Sequence, residues 1–319
     1  MSRIRSIDRS RPLLVLMLLS PAVHASNFQR NYIIDSVFLP VSNSEATTYA
    51  IDLNGDGHVD NNLGSVFAVL AAQGIDLNGS TNAAVDNGSV VHRIDLQSTD
   101  ASFTSDPAAQ ASWCVGSALP QPPLFDGTDQ AACDSSYVPG TFVAALSGGN
   151  FTSANPVTTT TPVTLNILIA LGSQTVALPL NGARLSFTSD NSGPGHLQGQ
   201  LNGSILHADV NTEVLPALAA AFNSLIQNDP TSPTANSIKS LFDTGCSGNP
   251  EFAHDGQIEA CELFESSLIT ALLAPDVQIY DALGHYAPNP ANTTPDSNSL
   301  GIRFTAVRRD RVFANGFEP

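Results

Sequence analysis

Hydrophobic and polar positions change their rhythm several times along the chain. Residues 13–19 are an unbroken apolar run, Leu-Leu-Val-Leu-Met-Leu-Leu. Residues 32–40 (Tyr-Ile-Ile-Asp-Ser-Val-Phe-Leu-Pro) then alternate and β-branch in the manner of a strand. The period next lengthens: Leu63, Val66, Phe67 and Leu70 keep the three-and-four spacing of one helix face, which Gly74 ends. From about 89 to 210 a two-residue alternation prevails. Val90–Leu96, Thr141–Leu146, Val163–Ala170, Thr175–Leu180, Ala183–Thr188 and Gly199–His207 read as strands, divided by Gly, Asn, Ser and Pro clusters.

The helical period returns near the C-terminus. Val214, Leu215, Leu218, Phe222, Leu225 and Ile226 mark an amphipathic helix, with Pro216 in its first turn where the missing N–H does no harm. A second helix is expected over Ser237–Asp243, and a third from Ile258 through Leu272 to Pro275. Val277–Tyr280 and Ile302–Val307 read as returning strands, separated by a Pro-, Asn- and Thr-rich loop at 288–298. The pattern predicts a mainly β chain with an α insertion (an α+β fold): an antiparallel β-sandwich or barrel-like core, and a helical insertion at about 212–275. No clean linker divides residues 26–311, which read as one composite domain.

The apolar run changes the picture at the N-terminus. It follows Arg3, Arg5, Arg9 and Arg11 and precedes Val23-His24-Ala25, a small-residue cleavage site. That order predicts a cleaved secretory signal peptide at residues 1–25. A membrane anchor would need roughly 20 apolar residues, so no transmembrane segment is expected. The protein is therefore expected in the periplasm or outside the cell. There, four cysteines favour disulfides over zinc, and local pairing gives Cys114–Cys133 and Cys246–Cys261. Net charge is −17 and Lys239 is the only lysine, a balance that argues against nucleic-acid binding and suits divalent cations or plain solubility.

The residues with the clearest chemistry are Asp52-Leu53-Asn54-Gly55-Asp56-Gly57-His58-Val59-Asp60. Calcium takes six to eight oxygens at roughly 2.3–2.6 Å. Asp52, Asn54 and Asp56 stand at the first, third and fifth places of such a loop, and Gly57 at the sixth, where the chain turns sharply. His58 would offer its carbonyl, Asp60 its carboxylate, and Val59 would anchor the loop to the core. At these dozen residues the chain resembles the EF-hand family, and more closely its dockerin-like relatives in exported bacterial proteins. The resemblance implies bound Ca2+. It departs from the pattern at the twelfth place, where Leu63 stands instead of a bidentate Glu, and this lowers the implied affinity toward about 10⁻⁴–10⁻³ M. The bland alternative is a Gly/Asp turn with Asp60 or Asn61 capping the next helix.

Glu251–Glu262 matches the same pattern in part. Asp255, Gly256, Gln257, Ile258 and Glu262 fall at the fifth to eighth and twelfth places, with Glu251 at the first and Ala253 at the third. Either a metal loop or a disulfide-braced helix N-terminus accounts for it. Ile75–Gly79 repeats Ile51–Gly55 letter for letter but lacks the turn glycine, and reads as a capped helix start.

No nucleophile elbow, His-Glu-x-x-His pair, P-loop or dinucleotide fingerprint occurs. His207 and Asp209, expected on one side of a strand, are either half of a catalytic relay or a surface pair. The tail Val312–Pro319 resembles short tails that end various exported bacterial proteins. These features favour an exported calcium-binding, non-catalytic binding or surface-structural module with a protein or surface partner of undetermined kind. A secreted hydrolase with scattered catalytic residues, or a carrier of an apolar ligand, are the alternatives.

Overall fold

The computed structural model describes residues 28–309 apart from 120, 156, 160 and 191–194. The expected signal peptide and the tail lie outside them. Three short helices follow the first strand: β1 (Phe28–Phe38), α1 (Asn43–Thr48), α2 (Asn62–Ala72) and α3 (Leu77–Asp86). Seven strands come next: β2 (His92–Ser98), β3 (Ser105–Val115), β4 (Gly140–Ser147), β5 (Asn150–Thr152), β6 (Leu165–Leu171), β7 (Gln174–Asp190) and β8 (His196–Leu206). The insertion holds the turn α4 (His207–Asp209), a π-helical turn at Val210–Val214, α5 (Leu215–Asn228), α6 (Pro233–Phe242), α7 (Ala260–Glu265) and α8 (Ser267–Leu272). Strand β9 (Ser297–Arg309) ends the described chain.

All nine strands belong to one antiparallel sheet in the order β5-β4-β3-β2-β1-β9-β8-β7-β6, rather than to two separate packed sheets. Strand β5 also pairs with β7, so the ladder returns on itself. Phe151 of β5 and Phe187 of β7 stack at that seam, ring centres 4.9 Å apart. Alternation along the strands sends Tyr32, Trp113, Phe142 and Phe304 inward, all of them buried. Rings of this size each contribute on the order of 2–3 kcal/mol by leaving water. Helices α2, α3 and α5 lay their apolar faces on the same hydrophobic cluster.

The edge of β6 away from β7 is covered by side chains. Buried His92 accepts the Leu168 N–H at Nε2 (2.9 Å), and Thr81 of α3 accepts from the Ala170 N–H and donates to its carbonyl (3.3 and 3.0 Å). Both acceptors remove exposed ladder groups that would otherwise invite another strand. Burial pushes the His92 imidazole down to about 3.

Several elements differ from their sequence expectation. The strands expected at Thr175–Leu180 and Ala183–Thr188 are one continuous β7, bent where its register slips between Asn181 and Arg184. The expected third helix breaks at Ser266, which caps α8 through the Ile269 N–H. Val277–Tyr280 forms isolated bridges instead of a strand. His207 and Asp209 lie in a helical turn and so do not share a strand face. Both disulfides form with the local pairing, Cys114–Cys133 and Cys246–Cys261.

Candidate functional site

The first acidic loop sits between α1 and α2, closed at its neck by a bridge between Ile51 and Asp60. Each acidic or amide side chain turns back onto the backbone. Asp52 accepts from the Gly55 N–H (2.6 Å) and the Gly57 N–H (3.0 Å). Asn54 accepts from the Asp56 N–H (3.1 Å), Asp56 from the His58 N–H (2.8 Å), and Asp60 from the Leu53 N–H (2.8 Å). A carboxylate offers about four lone-pair sites, so Asp52, Asp56 and Asp60 all retain acceptor capacity after these bonds.

Two glycines permit the winding. Gly55 and Gly57 both have φ of +87°, a conformation that L side chains rarely adopt. At Gly55 a Cβ would also strike Val157, whereas nothing lies near Gly57, so the second requirement is purely conformational. Asn54 is fully buried, and His58 is exposed. Val59 does not anchor the loop: it is 55% exposed. Leu53 does so instead, packed with Val277 and Ile279. The exit residue Leu63 is buried in the main core, and Asn61 caps α2 through the Gly64 N–H (3.1 Å). Asp76 caps α3 through the Gly79 N–H (2.7 Å), as its helix-start reading requires.

The electrostatics of the first loop are uncompensated. Burial pushes Asp60 up to about 6, against the Leu53 hydrogen bond, and repulsion from Asp276, Asp56 and Asp52 adds to it. Asp276, mostly buried beside Ser299, is itself shifted upward by burial. No local sequence signal joins Asp276 to this loop; β9 brings it there through Ser299, which also takes the Asn62 N–H (2.7 Å).

The second acidic loop is built differently. Asp255 accepts from the Gln257 N–H (2.8 Å), just as Asp56 does from His58. The Gly256 N–H goes to Asp243 (2.9 Å), which also takes the Asp255 N–H (3.1 Å). Asp243, the buried C-cap of α6, thus holds the role that Asp52 holds toward Gly57. Glu251 stands exposed on the turn Pro250–Phe252 and makes neither bond. The available signal for Asp243 was the disulfide: pairing Cys246 with Cys261 folds the residues just before the bridge against the Asp-Gly turn.

Glu262, 1% exposed, accepts from the Thr244 N–H (2.8 Å), the Gly245 N–H (2.6 Å) and the Glu259 N–H (3.0 Å). Ile258 is buried, its backbone held on both sides by Asn223 of α5 (2.7 and 2.8 Å). Glu259, absent from the sequence expectation, is pushed up to about 7 by burial, then by Glu262, Asp255 and Asp243, and its Oε2 is buried without a hydrogen-bond partner.

Among the described residues no Lys or Arg pairs with the acids of either loop. Nor do three His, Cys, Asp or Glu side chains among them converge as a ready-made metal group. The chemistry of the donor set nonetheless fits a hard cation: carboxylate and amide oxygens, no sulfur, and repulsion that a divalent ion would offset. No helix among the described residues is long and apolar enough to cross a membrane. No protein-family model, curated protein or solved structure matches the chain.

Proposed function

We propose that the protein is an exported calcium-binding, non-catalytic module in which the ion stabilises the first acidic loop and the surface around it. One observation carries this reading. Asp60, between Asp52 and Asp56 in one short loop and with Asp276 near it, has no Lys or Arg partner among the described residues, and burial, with repulsion from these three acids added, pushes it up to about 6. A turn whose only task was to start α2 would need just the Asn61 cap, which is already made.

Asp52, Asn54, Asp56, the His58 carbonyl and Asp60 would hold the ion. The fold resists wide rearrangement there, because Leu53 and Leu63 pin both ends in apolar clusters. Asp243, Asp255, Glu259 and Glu262, with the Gln257 carbonyl, form the weaker second candidate. Export fits two disulfides and a strongly acidic surface.

Thermal melts in EGTA and in millimolar calcium test the reading. For a Kd of about 10⁻⁴–10⁻³ M, ten millimolar calcium adds about 1.4–2.7 kcal/mol. Wild type is expected to gain several degrees in calcium and Asp56→Ala to gain none. Identical calcium responses in the two proteins would overturn the reading.

A further inference from the structure

A separate candidate site lies on the helical insertion, beside the α7 end of the second acidic loop, where Leu263 follows Glu262. A cavity of about 210 Å3 opens between the π-helical turn, α5, α7 and α8. Its walls are Leu215, Leu263, Phe264, Ile269 and Leu273. His207, Asn211 and Thr270 supply the polar groups. The volume is below the roughly 300–1,000 Å3 of sites for drug-sized molecules, so the occupant is about one ring with a short chain.

The tautomer of His207 is set from behind. Asn298 is fully buried, and its Nδ2 donates to the carbonyls of Leu273 (2.9 Å) and Ala274 (3.1 Å). Two carbonyls can only accept, so the amide cannot flip, and its Oδ1 faces His207 Nδ1 at 3.1 Å. Nδ1 therefore carries the hydrogen. In the neutral imidazole Nε2 is then a bare acceptor, and it has no hydrogen-bond partner among the described residues. The strand-to-helix junction places His207 on the cavity wall: β8 ends at Leu206, His207 begins α4, and the π turn at Val210–Val214 precedes α5. Single π turns of this kind recur at functional sites.

We propose that this cavity binds a small neutral amphiphile, an apolar body of single-ring size whose one hydroxyl donates to His207 Nε2. An anionic head group is disfavoured by a chain with net charge −17. Apolar contact with the leucine walls supplies the affinity, and the fixed acceptor supplies selection for a donor.

The test is a titration at pH 8 of the full exported chain with 4-ethylphenol, followed by methyl NMR. The control is 4-ethylanisole, the methyl ether of the same phenol, which keeps the ring, the ethyl chain and the oxygen but has no O–H and one more methyl. The phenol is expected to shift the methyls of Leu263, Ile269 and Leu273 saturably and to bind at least about tenfold more tightly than the ether, one net hydrogen bond. In His207→Phe that preference should fall to near one; His207→Leu serves if the larger ring prevents folding. No saturable shift, shifts confined to other regions, equal binding of phenol and ether, or an unchanged preference without His207 would each overturn the proposal.

Discussion

The two acidic loops share one geometric device, a glycine N–H tied to an upstream aspartate, and achieve it by opposite means. In the first, every participant comes from consecutive residues, Asp52 to Asp60, and no covalent bond braces the turn. In the second, Asp243 comes from the end of α6, and Cys246–Cys261, Glu262 and Asn223 hold the frame. Their exits differ in the same sense: Leu63 is apolar and packs into the core, whereas Glu262 is spent on three backbone donors. On the proposed reading, an ion would supply to the first loop what the second obtains from its own chain.

The largest effect expected from this contrast is in the second loop. Glu262→Ala removes a buried carboxylate on which three partly buried N–H groups converge and should cost about 3 kcal/mol. Chemical denaturation would read it, and a loss under about 1 kcal/mol would mean that Glu262 is not the strut. Replacing Cys246 and Cys261 together by serine should cost about 3 kcal/mol for a loop of this length. Calcium should restore only a small part of that loss. Full recovery would show that the second loop, too, is organised chiefly by metal.

Acid sharpens the comparison. Asp60 has its folded value raised to about 6 from an ordinary value near 4. The folded protein therefore binds the extra proton between these values, and without added calcium this group's contribution to stability falls as pH rises through that window. A protonated Asp60 is a poor ligand. The difference in melting temperature with and without calcium should be greatest above pH 6 and shrink as pH falls through about 6. His92 titrates in the opposite sense: its neutral burial stabilises fully above about 6.5 and less as pH falls toward 3. It does so in both arms and cancels from the difference. A calcium increment that stays flat between pH 7 and 5 would argue against Asp60 as a ligand.

The smallest effect comes from the sequence echo. Asp76→Ala removes one N-cap and should cost about 1 kcal/mol, equally with and without calcium. Any calcium dependence there would blur the distinction between a cap and a ligand.

The alternation of β-branched and apolar residues made most of the sheet legible, and two-cysteine spacing made the disulfides so. Strand β3 was not: Ser105–Val115 holds Pro107 and three alanines and acquires strand form from its pairing with β2 and β4. The Asn181–Gly182 pair resembles a hairpin turn and is instead the bend inside β7. In the first loop, the hydrogen-bonding residues were visible because they lie within nine positions. Asp243 and Asp276 were not, since a template read along the chain has no place for a residue supplied by a preceding helix or by the neighbour of a distant strand. Val59 misled for a related reason. An apolar residue at that place needs a facing surface; Ile258 has one in the main hydrophobic cluster, whereas Val59 is left exposed.

Calorimetric titration of calcium into EGTA-stripped protein tests the central claim most directly. Wild type should show saturable binding in the range of about 10⁻⁴–10⁻³ M, and Asp56→Ala should lose that event while keeping its fold. Absence of saturable binding at ten millimolar calcium, or the same isotherm in Asp56→Ala, would contradict it.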